Sequence, residues 1–249
     1  MLWYKAWRES RVRFLLSAAV LVLLSLGLMY RAHTGFPPPD RPDLPYSAWV
    51  WANIYGNLNP TVFIILAMIL GLGGLQRERP VGTAAFTLTL PVTRFYLVSI
   101  RAAVGLLQIL ALSLIPALLI PTLSPIIAHQ SYPESQTLQF ALLFTSWGAV
   151  AFGLGFLWSS LFGGDFTGTA LCVITPVVYK IFAENNSILQ RYPATNYANF
   201  MSGFRMPYIH SPVKVLIDGP LPWMSLLILV LVSLALLACA ARVTRVQDF

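Results

Sequence analysis

Charge is what this sequence has least of. Only 10% of its 249 residues are Asp, Glu, Lys or Arg, while 57% are hydrophobic and the mean hydropathy is +0.71. Soluble domains carry about 25% charged residues. A chain of this length has residues enough for one or two soluble domains, but not the polar groups to cover them, so it reads as an integral membrane protein. Acids are the scarcer sign, nine against sixteen Lys and Arg. That scarcity counts against an ion-coupled carrier, which uses polar or acidic sites within the membrane. Cysteine is nearly absent as well. Cys172 and Cys239 both lie in apolar runs, which leaves no disulfide framework and no zinc site to read.

Catalytic and nucleotide-binding patterns are missing too. None of Lys5, Lys180 or Lys214 follows a Gly, so there is no P-loop and no way for this chain to bind ATP in that manner by itself. His33, His129 and His210 are followed by Thr, Gln and Ser, which excludes a zinc-binding H-E-x-x-H helix. No G-x-S-x-G nucleophile turn occurs. The stretch "FGGDF" around Asp165 has part of an intramembrane aspartyl protease pattern, but Phe162 stands where Gly is needed. No second membrane aspartate is present to share a proton. A membrane enzyme, lipid-modifying or other, would need a nucleophile, base or metal set that the sequence does not supply.

Long apolar runs are what the chain does have. A spanning helix needs about 20 mostly apolar residues, and six runs qualify: Phe14–Tyr30, Asn59–Leu75, Phe95–Ile120, Leu138–Phe162, Thr167–Phe182 and Leu221–Ala241. They predict an all-α integral membrane protein with six transmembrane helices in a single domain over residues 1–249. The fifth run is short and holds Pro176 and Lys180; Lys180 is expected to snorkel to the interface. No strand-period barrel pattern competes. The flank of the first run, "MYRAHTG", has no A-x-A cleavage site, so that run is expected to stay as an anchor.

The few charges set the orientation. With the N-terminus inside and six crossings, the inner side holds ten cations (Lys5, Arg8, Arg11, Arg13, Arg77, Arg79, Arg94, Arg101, Arg242 and Arg245) against Glu9, Glu78, Asp165 and Asp248, an excess of +6. The outer segments 31–58, 122–137 and 184–220 are neutral on balance and rich in Pro, Tyr, Trp and Asn. Both termini are therefore expected in the cytoplasm, with the chain in the inner, cytoplasmic membrane. The basic pI near 9.7 is then topogenic and calls for no nucleic acid. Residues 1–13 add a pattern of their own: Leu2, Trp3, Ala6 and Trp7 against Lys5, Arg8, Glu9 and Arg11. This predicts an amphipathic interfacial helix on membrane lipid, with Trp3, Lys5, Trp7, Arg8 and Arg11 as its anchors. The other reading of the same residues is a set of positive-inside charges ahead of the first span.

Residues 76–94, "QRERPVGTAAFTLTLPVTR", interrupt the oil on the cytoplasmic side. Pro80 suits a helix start and Pro91 a position past its end. Val81, Ala84 or Ala85, and Leu88 recur at helical spacing, whereas Phe86, Leu88 and Leu90 also fit a strand with no evident sheet to join. A short helix on the membrane surface is the expectation, with Thr93 placed to cap the next span. Topogenesis accounts for Arg77, Arg79 and Arg94. It does not account for Pro80, Gly82, Thr83 or the Thr-Leu-Thr-Leu-Pro run.

This segment, continued to Arg101, resembles the first cytoplasmic loop of permease subunits of ATP-binding-cassette exporters of the ABC type 2 class. The residues that match are Glu78, Gly82, Thr83, Leu90, Pro91, Val92, Thr93 and Arg94. The resemblance implies a coupling helix between the second and third spans that docks on a separate ATPase through Glu78, Gly82, Thr83, Phe86, Leu90, Pro91 and Arg94. It also implies ATP and Mg bound by that partner, no cofactor in this chain, and a second permease, copy or homologue, with the substrate path between the two. The steps Ala149/Gly153 and Ala151/Gly155 suit close helix packing, either between subunits or within one. A channel or secondary carrier that works without an ATPase is the alternative expectation, and no motif specifies the cargo.

Overall fold

In a computed structural model of the protein, residues 2–35, 46–50, 53–55, 59–72, 93–162, 165–183, 221 and 223–246 are described. Among them there is no strand. The helices are α1 (Leu2–Gly35), α2 (Tyr46–Val50), α3 (Asn59–Gly71), α4 (Arg94–Ile127), α5 (Glu134–Leu161), α6 (Asp165–Ala183) and α7 (Trp223–Val246). Five stretches are long and apolar enough to cross a bilayer: Leu2–Arg31, Asn53–Gly71, Phe95–Ile127, Glu134–Leu161 and Trp223–Val246. This is the pattern of an all-α, multi-pass membrane protein. The fifth run of the sequence does form a helix, α6, of 19 residues, apolar over its described side chains Thr167–Val178.

Two helices run further than their sequence signals predict. Residues 1–13 and Phe14–Tyr30 were expected as separate pieces, yet α1 is one unbroken helix from Leu2 to Gly35. Helix α4 was expected to stop at Ile120, before Pro121. It continues to Ile127 with Pro116, Pro121 and Pro125 inside it. Proline removes a helix N–H, and Thr122, between two of them, turns its hydroxyl back onto the carbonyls of Leu118 (2.7 Å) and Leu119 (3.1 Å). The helix ends where the Ala128 N–H closes on the Ser124 carbonyl and His129 takes a left-handed φ of 52°.

Helix α5 is the centre of the bundle. Of its apolar window 72% is buried, against 22% for α1 and α7, so those two form the outer walls. Paired contacts set the directions. Helix α4 lies antiparallel to α5, with Gly105 against Phe152 and the Ser113 hydroxyl on that of Thr145 (2.7 Å). Helix α3 lies parallel to α5, with Tyr55 stacked on Phe140, Phe63 on Phe144, and Gly71 beside Phe152 and Phe156. Helix α1 runs parallel to α4. The four elements α1, α3, α4 and α5 thus alternate in direction along the chain, and Leu72 and Thr93 come out at the same end.

The α3–α5 crossing is tight enough to need glycine. A Cβ on Gly155 would strike the Met68 carbonyl, and one on Gly71 would strike the Phe152 carbonyl. Small residues allow backbones this close, and contact is what holds helices together in a bilayer. Gly153 faces α7, where a Cβ would sit 3.2 Å from that of Leu236. Both small-residue steps noted in the sequence are used within this one chain.

Candidate functional site

A polar cluster ties α1, α3 and α4 together at the end where Leu72 and Thr93 lie. Helix α1 turns Leu2 and Ala6 onto Ile100 and Val104 of α4, and one turn on this same face carries Glu9, Ser10 and Arg13. The Arg13 guanidinium donates to two carbonyls at the C-terminus of α3, Ile69 (3.3 Å) and Leu72. The Ile69 carbonyl also accepts from the Leu72 N–H at 3.1 Å, and an arginine is a suitable cap for carbonyls at a helix C-terminus. The Glu9 carboxylate takes Arg101 of α4 at 3.0 Å and Lys5 at 3.6 Å. The Ser10 hydroxyl donates to the Ala6 carbonyl (3.0 Å) and accepts from Gln108 Nε2 of α4 (2.7 Å).

The pairing has an uneven setting. The Arg101 side chain is only 10% exposed and that of Glu9 36%, so the cation is the more deeply buried member. An exposed ion pair contributes little, but a buried charge that loses its partner is costly. Between the helices a cavity of about 30 Å³ is lined by Glu9, Ser10, Arg13, Arg101, Gln108 and Phe152, among others.

The N-terminal anchors sit largely on the opposite face. Trp3 is 50% and Trp7 40% exposed, Arg8 and Arg11 are exposed, and Trp7 touches Phe14 at 5.5 Å between ring centroids. Of the expected set, Lys5 alone joins the cluster, through Glu9. The apolar residues grouped together in the sequence are divided: Leu2 and Ala6 pack inward, while the tryptophans point outward. Thr93 does cap α4, its hydroxyl accepting from the Tyr96 N–H at 3.3 Å. Arg94 opens that helix. Glu78, Gly82, Thr83, Phe86, Leu90 and Pro91 lie outside the described residues.

Sequence reading counted Glu9, Arg13 and Arg101 as bulk charges and passed over Gln108. The signal for Gln108 was there: it is the one amide side chain in the run Phe95–Ile120, and a polar side chain inside a span asks for a partner.

The far end is built from rings. Tyr46 of α2 binds the Ser124 hydroxyl at 2.9 Å, stacks on Trp49 at 6.4 Å and meets Tyr132 edge-on at 6.4 Å. Tyr55 lies 4.0 Å from Phe140, nearly parallel. Burial raises the phenol pKa of Tyr46, with the Ser124 hydrogen bond partly opposing it, and burial raises that of Tyr132 further. Both phenols remain protonated at neutral pH.

No protein-family model, curated protein or solved structure matches this chain. Its functional reading therefore rests on residue pattern and geometry.

Proposed function

We propose that this chain is the membrane-spanning permease subunit of an ATP-binding-cassette exporter of the ABC type 2 class, driven by a separate ATPase that binds ATP and Mg. The observation that carries the reading is the polar cluster. In the sequence, the segment with the permease-like motif lies between Leu72, whose carbonyl Arg13 holds, and Thr93, two turns before Arg101, which Glu9 holds. A displacement applied between those points bears on α1, α3 and α4 together.

In this reading the cluster end faces the cytoplasm, where the +6 excess of charge belongs. Helix α6 is the fifth of six crossings in chain order, so that both termini are cytoplasmic. Glu78, Gly82, Thr83, Phe86, Leu90, Pro91 and Arg94 form the docking surface. The permease pairs with a second copy or a homologue, and the cargo passes between them. The outer walls α1 and α7, whose apolar windows are the least buried, are the faces available to lipid and to that second permease.

The test is assembly and coupling. The full-length chain, purified from its native membrane, should retain a P-loop ATPase in stoichiometric amount and show no ATP hydrolysis once that subunit is stripped away. Gly82→Leu should abolish retention of the ATPase or uncouple hydrolysis from transport, because an interface anchor commonly contributes about 2 kcal/mol or more. Glu78→Ala, a rim charge, should act more mildly. Membrane insertion should stay normal in both. If Gly82→Leu assembles and couples like the parent, the segment is a topogenic loop and the reading fails. Transport by the chain with no ATPase bound would favour a carrier.

A further inference from the structure

The polar cluster encloses space that its own side chains leave unfilled. The cavity of about 30 Å³ has Glu9, Ser10, Arg13, Arg101 and Gln108 on its polar side and Phe152 and Phe156 on its apolar side. Gln108 is 3% exposed; its Nε2 donates to Ser10, and its Oε1 has no hydrogen-bond partner. A buried amide oxygen in that state is unfavourable until a donor reaches it. The surrounding groups decide which donor fits. A cation would enter beside two guanidiniums. An anion would bring further acceptors to the Glu9 carboxylate and to an amide oxygen that already lacks a donor. The occupant is therefore a neutral donor, and the volume admits one or two molecules the size of water.

A buried water needs several polar partners, and this lining offers them. The Ser10 hydroxyl donates to the Ala6 carbonyl and accepts from Gln108, which leaves one lone pair. The Glu9 carboxylate accepts from Lys5 and Arg101, and its two oxygens together have room for further donors. We propose that this cavity is an internal hydration site. One or two ordered waters donate to Gln108 Oε1 and to the remaining acceptor capacity of Ser10 and Glu9. The joint between α1 and α4 is then half direct, through Gln108 Nε2 on Ser10, and half through water, which serves nearly as well as a direct hydrogen bond. The Gln108 side chain holds that water, and an apolar side chain in its place leaves the cavity dry. The site does not depend on the permease reading.

Radiolytic hydroxyl labelling of the full-length chain in detergent, read by mass spectrometry, tests this. Radicals made on a bound water oxidise the side chains beside it, even where bulk solvent has no access. Phe152 and Phe156 are 1% and 3% exposed and line the cavity. Phe63, also 1% exposed, packs on Phe144 away from the cavity and serves as the reference. Phe152 and Phe156 should be oxidised at least fivefold more than Phe63. Gln108→Leu and Gln108→Met, which remove the acceptor, should bring both within twofold of Phe63. Gln108→Glu, which keeps an acceptor, should retain the labelling. Phe152 and Phe156 as silent as Phe63 in the parent chain would show a dry cavity and overturn the proposal; that comparison needs no variant to fold. Labelling that survives in both the Leu and the Met variant would mean that Gln108 does not hold the water, and would overturn it as well. None of these measurements involves an ATPase, so their failure leaves the permease reading standing, and its failure leaves them interpretable.

Discussion

At one end of the bundle Arg13, Glu9, Ser10, Arg101 and Gln108 join three helices through directional contacts; at the other, Tyr46, Tyr55, Tyr132 and Phe140 join them through ring packing. The two kinds of joint respond differently to load. A guanidinium on a pair of carbonyls holds a narrow range of distance and angle, so a helix that moves takes its partner along or loses the contact. Stacked rings tolerate sliding, and in lipid they contribute by contact rather than by exclusion of water. The buried hydroxyls of Tyr55 and Tyr132 and the side-chain amide of Asn59 have no hydrogen-bond partner among the described residues, so little directional bonding adds to the rings there. The polar end is suited to transmit motion, the aromatic end to accommodate it.

The largest break in this contrast should come between the two ends, at the α3–α5 crossing. Gly155→Leu forces a side chain into the Met68 backbone, and overpacking of this kind should cost about 3 kcal/mol. Buried Cys172, probed in a Cys239→Ser background, should then react with a thiol reagent under conditions where the parent is protected. An unchanged labelling rate would show that the crossing is loose.

Arg13→Met comes next. It removes the charged donor from two α3 carbonyls and should cost about 2 kcal/mol. Under the proposed permease reading, it should also reduce transport per ATP hydrolysed more than it reduces thermal stability. Tyr55→Phe probes the other end: deleting a buried hydroxyl that has no partner should raise stability by about 1 kcal/mol, seen as a higher unfolding midpoint in size-exclusion assays after heating. A loss there would mean that the phenol is bonded after all. The smallest effect is expected at His129. Its left-handed φ is one that glycine adopts without penalty, so His129→Gly should stabilise by about 0.5 kcal/mol, seen as a small rise in the unfolding midpoint.

How much of this was legible in the sequence differs between the ends. The apolar runs foretold the helices, because lipid imposes a length and a composition that no soluble element shares. Thr93 was legible as a cap, since its role depends only on the residues just after it. The extension of α4 past Pro121 was not. Proline is a strong local stop, yet the helix goes on to Ile127 with Pro121 and Pro125 inside it. The polar cluster was hidden for a related reason. Arg13 meets Leu72 across 59 positions and Gln108 meets Ser10 across 98, and pairings at such range leave no local spacing to read. Counting Arg13 and Arg101 toward the inside excess accounted for their charge and missed their partners. The tryptophans misled in another way. Trp3 and Trp7 share a side of α1 with basic residues, so their grouping with Leu2 and Ala6 joined two faces that the fold keeps apart.

Helix α1 has no interruption over 34 residues, and Leu21, close to its middle, is fully buried. Such a rod behaves as a two-armed lever with its fulcrum in the core. Leu2 lies about 28 Å from Leu21 and Gly35 about 21 Å on the other side at 1.5 Å per residue. A tilt of about 10° would therefore swing the Leu2 end through about 5 Å and the Gly35 end through about 4 Å in the opposite direction. A small rotation at one membrane surface would be delivered to the other with its sign reversed and its size nearly kept, and no element need unfold for the message to arrive.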